Sequence, residues 1–321
     1  MGVQLATIGL CLGLALSSSR SLAGDLFIVC QDESRVKRVD TAANTITGSL
    51  SVDVGPAMIA ASPDGAYLYV THPDHGEVTK IDAARLSVDS VFHVGGEPFG
   101  VATDPDGKFL YVSDWDKDRV TRLGVESGEL SGEATVGHKP AGLVLAPRGD
   151  HIFVANRESH SVSVVDTNEM RQSAELIVGE APFALALSPD SKFLITADVR
   201  GGDATIVDTE RLFVIARVKI GAAPYGVAIT PDGDWAMISD QHQDNLTVID
   251  LPSGRLRAVI KIGRYPETIV SEARRAYVAN WFSGDVSVID LANEQELTRI
   301  RPCEGPRGMV LSQRKASVST K

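Results

Sequence analysis

One stretch of the chain, residues 221–263, reads GAAPYGVAITPDGDWAMISDQHQDNLTVIDLPSGRLRAVIKIG. It contains four short runs rich in β-branched and aromatic residues. Pro-Asp-Gly at 231–233 separates the first two runs, and Pro-Ser-Gly at 252–254 separates the last two. Runs of this kind, bounded by turn residues, are typical of short antiparallel strands, and the spacing of a capped amphipathic helix is missing from the stretch. The stretch therefore predicts four consecutive β-strands.

The same pattern recurs along the chain at a fixed period. A loop proline recurs every 42 residues in six copies, and a seventh follows after 40: Pro56, Pro98, Pro140, Pro182, Pro224, Pro266 and Pro306. An aspartate that ends the third run of a unit keeps nearly the same spacing, with Gly124 in the one gap: Asp40, Asp82, Asp166, Asp208, Asp250 and Asp290. Four strands in each repeat of about 40–45 residues is the pattern of a propeller blade. We therefore predict an all-β fold, a seven-bladed β-propeller with four antiparallel strands per blade.

The two ends of the repeat region each carry part of a unit. Residues 25–50 contain runs that match only the last three strands of a blade, and Pro306–Ser312 matches only the first. Together they make one complete blade. We expect the C-terminal strand to pair with the N-terminal strands and close the ring, because closure removes an exposed sheet edge.

Short strings within the repeat resemble a known family. Leu68-Tyr-Val-Thr-His, Leu110-Tyr-Val-Ser-Asp and Tyr277-Val-Ala-Asn are similar to the YVTN-type seven-bladed β-propeller repeat, as are the preceding Ser62-Pro-Asp-Gly turn and the following Val286-Ser-Val-Ile-Asp strand. The resemblance implies the propeller fold over the whole repeat region. It leaves function open, since such propellers include cofactor-binding oxidoreductase subunits, lactonases, lyases and non-catalytic modules. Secreted bacterial members resemble this chain, and some are associated with PQQ-dependent alcohol catabolism.

The composition and the N-terminus bear on location and partners. The 321 residues carry 31 Lys and Arg against 42 Asp and Glu, a net charge of −11, which argues against nucleic acid as a partner. Residues 5–16 form an uncharged apolar run, too short to span a bilayer, before small residues at Ser21 and Ala23. We predict a cleaved signal peptide at 1–23, with a buried N-terminal helix as the alternative. A single propeller domain at 24–313, a polar tail at 314–321, no membrane span and a periplasmic or secreted location follow from this prediction.

The mouth face of the predicted propeller carries the loops between blades and those after each second strand. The residue that ends the second strand recurs as a polar type in six blades and as cysteine in one: Cys30, His72, Asp114, Asn156, Asp198, Asp240 and Asn280. Asp and His are ligands for divalent cations. One hypothesis is therefore a cation held by His72, Asp114, Asp198 and Asp240. The alternative is that these side chains only bond loose backbone N–H groups at the strand ends.

The position after each second strand differs from blade to blade. It carries Trp115, Arg157 and Trp281 in three of them, and Tyr225 and Arg307 follow two of the loop prolines. Aromatic rings and guanidinium groups at a channel mouth can stack on a planar ligand, so these five residues are predicted to bind one. Glu267, Phe99 and Phe183 are expected nearby. The alternative is that the aromatic residues wedge between neighbouring blades.

Two cysteines lie in the predicted split blade. Cys30 is near its second strand, and Cys303 is in the loop entering its first strand. In an oxidising compartment they can form a disulfide that ties the chain ends together, and the alternative is two unpaired or buried thiols.

No catalytic motif appears: the chain has neither a nucleophile elbow, a phosphate loop, a dinucleotide fingerprint nor a haem attachment sequence. We therefore expect a binding or accessory module that holds a small molecule or a partner protein at the mouth. One alternative is a lactonase-like hydrolase or lyase with a metal-assisted site. Another is a cofactor-binding protein of a quinone- or haem-linked oxidation system.

Overall fold

The computed structural model describes residues 24–313, which form 28 β-strands in seven four-stranded antiparallel sheets. This is the predicted seven-bladed propeller. The signal peptide predicted at 1–23 and the tail predicted at 314–321 lie outside the described residues, so both stay predictions. Within the described range, no helix is long and apolar enough to cross a bilayer.

Blades 1 to 6 each run from an innermost to an outermost strand in chain order. Blade 1 contains β4 (Ile59–Ala61), β5 (Tyr67–His72), β6 (Glu77–Asp82) and β7 (Ser87–His93), with a 3₁₀ turn at Pro73–His75. Blade 2 contains β8 (Pro98–Thr103), β9 (Phe109–Asp114), β10 (Arg119–Gly124) and β11 (Leu130–Thr135). Blade 3 contains β12 (Pro140–Leu145), β13 (His151–Asn156), β14 (Ser161–Asp166) and β15 (Arg171–Ile177).

The next three blades repeat this order. Blade 4 contains β16 (Pro182–Leu187), β17 (Phe193–Asp198), β18 (Asp203–Asp208) and β19 (Phe213–Lys219). Blade 5 contains β20 (Pro224–Ile229), β21 (Trp235–Asp240), β22 (Asn245–Asp250) and β23 (Arg255–Lys261). Blade 6 contains β24 (Pro266–Glu272), β25 (Arg275–Asn280), β26 (Asp285–Asp290) and β27 (Gln295–Ile300).

Blade 7 joins the two ends of the described chain, as predicted. Its order is β28 (Pro306–Gln313), β1 (Gly24–Cys30), β2 (Arg35–Asp40) and β3 (Thr45–Ser51). β28 pairs antiparallel with β1, and Leu26 lies opposite Leu311. The structure also places Cys30 and Cys303 in a disulfide with a Cα separation of 6.0 Å, so a covalent bond reinforces the strand pairing.

Close approach of the innermost strands brings the mouth residues together. Gly226 lies where a Cβ atom would come within 2.1 Å of the Glu267 carbonyl oxygen, so only glycine fits this crossing. The buried Ser239 hydroxyl accepts a hydrogen bond from Gly226 N–H at 2.8 Å and donates one to the same Glu267 carbonyl at 2.8 Å. Ser113 makes the equivalent bridge between blades 2 and 3. The two bridges hold the backbone of Ala141 and Glu267, each the residue after a loop proline, against the neighbouring blade.

Most of the apolar core lies between adjacent blades. Met237 and Val248 of blade 5 pack with Ile269 and Val278 of blade 6, and similar buried clusters fill other blade interfaces. Burial of these side chains holds the blades together and leaves the loops of the mouth face free to vary.

Candidate functional site

Seven residues, one after each loop proline, form a ring at the mouth end of the channel. They share a position in the repeat and differ in chemistry: Ala57, Phe99, Ala141, Phe183, Tyr225, Glu267 and Arg307. One arc of the ring is aromatic, and the following arc carries the carboxyl and guanidinium groups. Although the seven blades are related by an approximate sevenfold repeat, the ring of side chains is therefore aromatic on one side of the mouth and charged on another.

The aromatic arc is a continuous cluster that reaches across the mouth. The Phe183 and Tyr225 rings stack with centroids 4.2 Å apart, and the Phe99 and Phe183 rings meet edge to face at 5.3 Å. Trp115 packs against both phenylalanines, at 6.0 Å from Phe99 and 6.4 Å from Phe183. Such pairs are favourable beyond the area they bury, so the cluster is a rigid stacking platform.

Arg307 organises the polar arc. Its Nη2 donates to the Tyr225 hydroxyl at 3.3 Å, its Nη1 donates to Gln31 Oε1 at 2.9 Å, and its Nε lies 3.3 Å from Glu267 Oε2. The guanidinium also lies over the rings of Phe99 and Trp281, at 5.4 and 5.3 Å from their centroids. Arg307 thus connects residues of blades 2, 5, 6 and 7.

Glu267 is the buried acid of the site. Its side chain is almost fully covered, and Gln241 Nε2 donates to its Oε1 at 3.1 Å. Burial raises the pKa of Glu267 from 4.5 to about 7, because desolvation of the carboxylate outweighs the opposing attraction of Arg307. Burial likewise raises the pKa of the Tyr225 phenol. Tyr225 is therefore a neutral hydrogen-bonding group near neutral pH, whereas Glu267 is poised between its two forms.

Two open depressions lie on the mouth face, and Trp115 and Phe183 line both. The larger, 570 Å³, lies toward blades 3 to 6; its other lining side chains include Arg157, Arg200, Tyr225, Gln241, His242 and Tyr265. The smaller, 280 Å³, lies toward blades 7 and 1; its other lining residues include Gln31, Pro73, Asp74, Phe99 and Arg307. A larger cavity of 660 Å³ lies on the opposite face of the propeller, but no aromatic side chain of residues 24–313 lines it. We therefore place the candidate site at the mouth.

Two arginines lie at the edge of the larger depression. Arg157 lies 5.9 Å from the Trp115 ring centroid and pairs with Glu158. Arg200 Nη2 lies 2.8 Å from the other Glu158 oxygen, and its Nε lies 3.8 Å from Glu180. The edge thus offers donors to a ligand while its charges are largely balanced.

The structure brings together four of the five predicted ligand-binding residues. Trp115, Arg157 and Tyr225 line the larger depression and Arg307 lines the smaller, whereas Trp281 meets the Arg307 guanidinium and lines neither. Arg200 and Tyr265 also line the larger depression and were not predicted from the sequence. Tyr265 carried a detectable signal, because it immediately precedes a loop proline where two other blades have glycine. Its φ of 57° is in the left-handed region, which an aromatic residue rarely adopts.

The four predicted cation ligands at strand ends instead bond locally. Asp240 accepts backbone N–H bonds from Ala222 and Gln243 at 2.7 and 3.0 Å, and Asp114 accepts from Glu97 N–H at 3.0 Å and Arg119 Nε at 3.1 Å. Asp198 accepts from the Thr196 and Thr205 hydroxyls, and His72 Nε2 lies 3.0 Å from Thr79 Oγ1.

Burial raises the pKa of Asp198 to about 6 and lowers the pKa of His72. In residues 24–313, one group of three acidic, histidine or cysteine side chains has ligand atoms within 4.8 Å of one another: Asp53, His75 and Glu77. None of the four predicted residues belongs to that group. Their arrangement matches the local-bonding alternative.

The strand-end side chains also explain the glycine that stands three residues before five of the seven loop prolines. A Cβ on Gly221 would lie 1.8 Å from an Asp240 oxygen, and a Cβ on Gly179 would lie 2.3 Å from one of Asp198. Glycine in the loop and Asp or Asn at the strand end therefore form a matched pair in blades 3 to 6. In blade 7 the same two positions are Cys303 and Cys30, which form the disulfide.

Comparison with known proteins places the chain in a family. Residues 128–299, more than half of the chain, match the YNCE-like β-propeller family, and the chain belongs to this family. Residues 29–131 and 72–182 match the seven-bladed β-propeller lactonase family. These matches identify a β-propeller family and do not single out the YVTN-type repeat, which stays a prediction. No curated protein is significantly similar to the chain.

Several solved structures share the fold. A functionally unknown protein from Desulfotomaculum acetoxidans is 14% identical, with a TM-score of 0.80 over 91% of this chain and 100% of that one. The periplasmic gluconolactonase PpgL of Pseudomonas aeruginosa is 19% identical, with a TM-score of 0.76 over 90% and 99%. Hydrazine synthase of Kuenenia stuttgartiensis is 21% identical, with a TM-score of 0.73 over 79% and 88%. At these identities the likeness shows the fold alone.

Proposed function

We propose that this protein is a binding or accessory module that holds a planar organic ligand on its mouth face. The observation that carries the proposal is the aromatic platform of Phe99, Trp115, Phe183 and Tyr225, which lies between two open depressions. A flat ring system gains stacking energy on such a surface, and ligand pockets of about 300–1,000 Å³ are common.

The polar groups around the platform favour a ligand with polar edges and little net charge. Arg157 and Arg200 are already paired with Glu158 and Glu180, and Arg307 is paired with Glu267. Donors from Arg157, Arg200 and Gln241 remain positioned to bond carbonyl or carboxyl oxygens at the edge of a ring system. The ligand class supported by these groups is a heteroaromatic or quinonoid molecule.

A hydrolase of the lactonase type is the second candidate. Two observations favour it: the match to the lactonase family model, and a buried Glu267 whose pKa near 7 suits a general acid or base. Against it, Glu267 is only 2% exposed and lines neither depression, so a substrate on the platform would meet Gln241, Tyr225 and Arg307 first. The burial of Glu267, the acid whose pKa would suit this role, supports binding over catalysis.

The test uses quenching of tryptophan fluorescence by two planar probes without net charge, the quinone menadione and the heteroaromatic riboflavin. We expect saturable quenching by at least one probe, and Trp115→Ala should weaken its binding by about tenfold or more, since an aromatic stack is worth about 1–3 kcal/mol. The matched control is Trp235→Phe, because Trp235 begins β21 at the end of blade 5 away from the mouth. Equal loss in both variants, or no saturable quenching by either probe, would contradict the proposal.

Glu267→Gln separates the two candidates. If the protein only binds, this variant keeps the affinity for the probe and no turnover of a lactone panel is seen in either form. Lactone hydrolysis by the wild type that Glu267→Gln abolishes would establish the enzyme instead.

We also propose a periplasmic or secreted location, supported by the leader predicted at residues 1–23. N-terminal sequencing of the exported chain should begin near Gly24. Recovery of a chain that still begins at Met1 from the cytoplasm would contradict this location.

A further inference from the structure

A cluster of histidine and acidic side chains lies at the edge of the mouth face, on blade 1. Asp53 Oδ2 is 2.7 Å from His75 Nδ1, and together with Glu77 these side chains have ligand atoms within 4.8 Å of one another. His93 Nδ1 lies 3.0 Å from Glu77 Oε1, because Glu77 and His93 are directly opposite each other on β6 and β7. Two imidazoles and two carboxylates therefore converge where the loop from blade 7 meets blade 1.

The backbone holds these groups in place. Asp53 Oδ1 accepts the Val54 N–H at 2.7 Å, which leaves Oδ2 directed to His75. His75 ends the 3₁₀ turn, and Gly76 follows it at a φ of 65°. A Cβ on Gly76 would lie 3.0 Å from the Gly95 Cα, so this loop packs tightly against the loop entering blade 2.

Blade 1 departs from the repeat at these positions. Asp53 stands three residues before a loop proline, where blades 3 to 6 carry the glycine described above. His93 pairs with Glu77, whereas the equivalent partners in blades 4 and 5 are Lys219 and Lys261. At positions where blades 3 to 6 carry glycine and blades 4 and 5 carry lysine, blade 1 therefore carries side chains with metal-ligating atoms, Asp53 and His93.

The charge of the cluster is unbalanced. Lys219 Nζ donates to the Gly201 carbonyl at 2.8 Å in blade 4, and Lys261 Nζ donates to the Gln243 carbonyl at 2.6 Å in blade 5. Each places an ammonium group over the loop after the second strand. In blade 1 a histidine stands at that position, and the ion pairs of Asp53 and Glu77 within the described chain are with His75 and His93 only. Zinc binds imidazole in its neutral form, and with both imidazoles neutral the cluster offers the ion two negative charges with no lysine over the loop.

We propose that Asp53, His75 and Glu77 form a binding site for a borderline divalent cation, represented by Zn²⁺, with His93 available as a fourth ligand. Imidazole nitrogen with carboxylate oxygen suits Zn²⁺, whereas Ca²⁺ and Mg²⁺ prefer oxygen alone. Zinc ligands at about 2.0–2.1 Å in a tetrahedron are roughly 3.3 Å apart. Asp53 and His75 must therefore separate slightly, which their exposed side chains permit. The bound ion would connect the loop from blade 7 to the 3₁₀ turn of blade 1, and this site does not depend on the function proposed above.

The test is titration of the tag-free full chain with zinc chloride by calorimetry, with the metal content measured after dialysis. We expect one Zn²⁺ per chain, and His75→Ala or Glu77→Gln should weaken its affinity at least about thirtyfold, in line with the loss of a ligand. The matched control is His138→Ala. His138 Nδ1 lies 2.6 Å from Asp118 on blade 2, but this pair belongs to no group of three ligands in residues 24–313.

The zinc titrations and the melting curves of the three variants either support or overturn the proposed site. Full affinity in His138→Ala with loss in the blade 1 variants, and circular dichroism melts unchanged in all three, would support it. Absence of stoichiometric zinc would overturn it, as would equal loss in the control. Displacement of Zn²⁺ by an excess of Ca²⁺ would also overturn it, because a site with imidazole ligands should prefer zinc.

Discussion

Replacing Glu267 by glutamine tests the electrostatics at the centre of the mouth. Burial raises the pKa of Glu267 from 4.5 to about 7 in the folded protein. Between these values the folded chain keeps a proton that the unfolded chain releases, so the free energy of unfolding falls as the pH rises through this window. At about 1.4 kcal/mol per pKa unit, the loss from this one group is about 3 kcal/mol.

Glutamine keeps the shape of the protonated acid and still offers an oxygen to Gln241, but it does not titrate. We therefore expect Glu267→Gln and the wild type to be similarly stable at pH 4.5. At pH 8 the variant should be more stable, by about 3 kcal/mol.

The assay is urea unfolding at pH 4.5, 6 and 8 without reductant, so that the disulfide stays intact. The difference between variant and wild type removes the contribution of all other titrating groups. Glu210→Gln is the matched control, since Glu210 is exposed on the loop before β19 and its replacement should leave the pH dependence unchanged.

The opposite sign would show that burial does not dominate the electrostatics of Glu267. If the wild type is the more stable form at pH 8, and its advantage grows with pH, then the ion pair with Arg307 outweighs burial and Glu267 is ionised throughout. A difference that stays constant from pH 4.5 to 8 would show that Glu267 does not titrate in this range.

Three further outcomes follow from the structure. Replacing both Cys30 and Cys303 by alanine removes a disulfide that joins residues 273 apart in the sequence, and calorimetry should show that the free energy of unfolding falls by about 5 kcal/mol. An unchanged melting temperature would mean that strand pairing alone closes the ring. Burial raises the pKa of Asp198 to about 6, so Asp198→Asn should stabilise the protein above pH 6 by about 3 kcal/mol and have no effect below pH 4. Urea unfolding above pH 6 and below pH 4 measures this difference. A gain in stability below pH 4 would contradict the prediction. Trp235→Ala should cost about 3–5 kcal/mol by urea unfolding, since the ring is buried between Arg257 and Arg274, and a loss below 1 kcal/mol would show that the ring is not packed as described.

The fold was predictable because its determinants are local and repeated. Each blade carries its own turn sequences and its own loop proline, so the period of 42 residues is visible without any long-range contact. The closure of blade 7 was predictable for the same reason, since each end of the chain matches a different part of one unit. β28 pairs with β1 as that division implies.

The site was only partly predictable, because its contacts cross the ring. Arg307 lies over the Phe99 ring although the two residues are remote in sequence. They meet because the seven blades are arranged in a closed ring, which brings blade 7 and blade 2 to the same mouth. The pairing of Phe183 with Tyr225 likewise depends on how closely β16 and β20 approach. A pattern that identifies equivalent positions therefore predicts which residues face the mouth, but not which of them touch.

The disulfide could have been predicted more firmly from the repeat itself. Cys303 occupies the position of Gly179 before its loop proline, and Cys30 occupies the position of Asp198 at its strand end. Because that glycine and that aspartate lie against each other in blade 4, two cysteines in the same places are within reach of a disulfide.

The pairing of the last strand with the first also determines when this protein can finish folding. Blade 7 lacks its innermost strand until residues near Met309 have left the ribosome, and at about 5–20 residues per second these follow Ile28 by roughly 15–60 seconds. During that interval β1 has a free edge, which is a template for pairing with other chains. A chaperone that covers this edge until β28 pairs with β1 would therefore raise the yield of native protein.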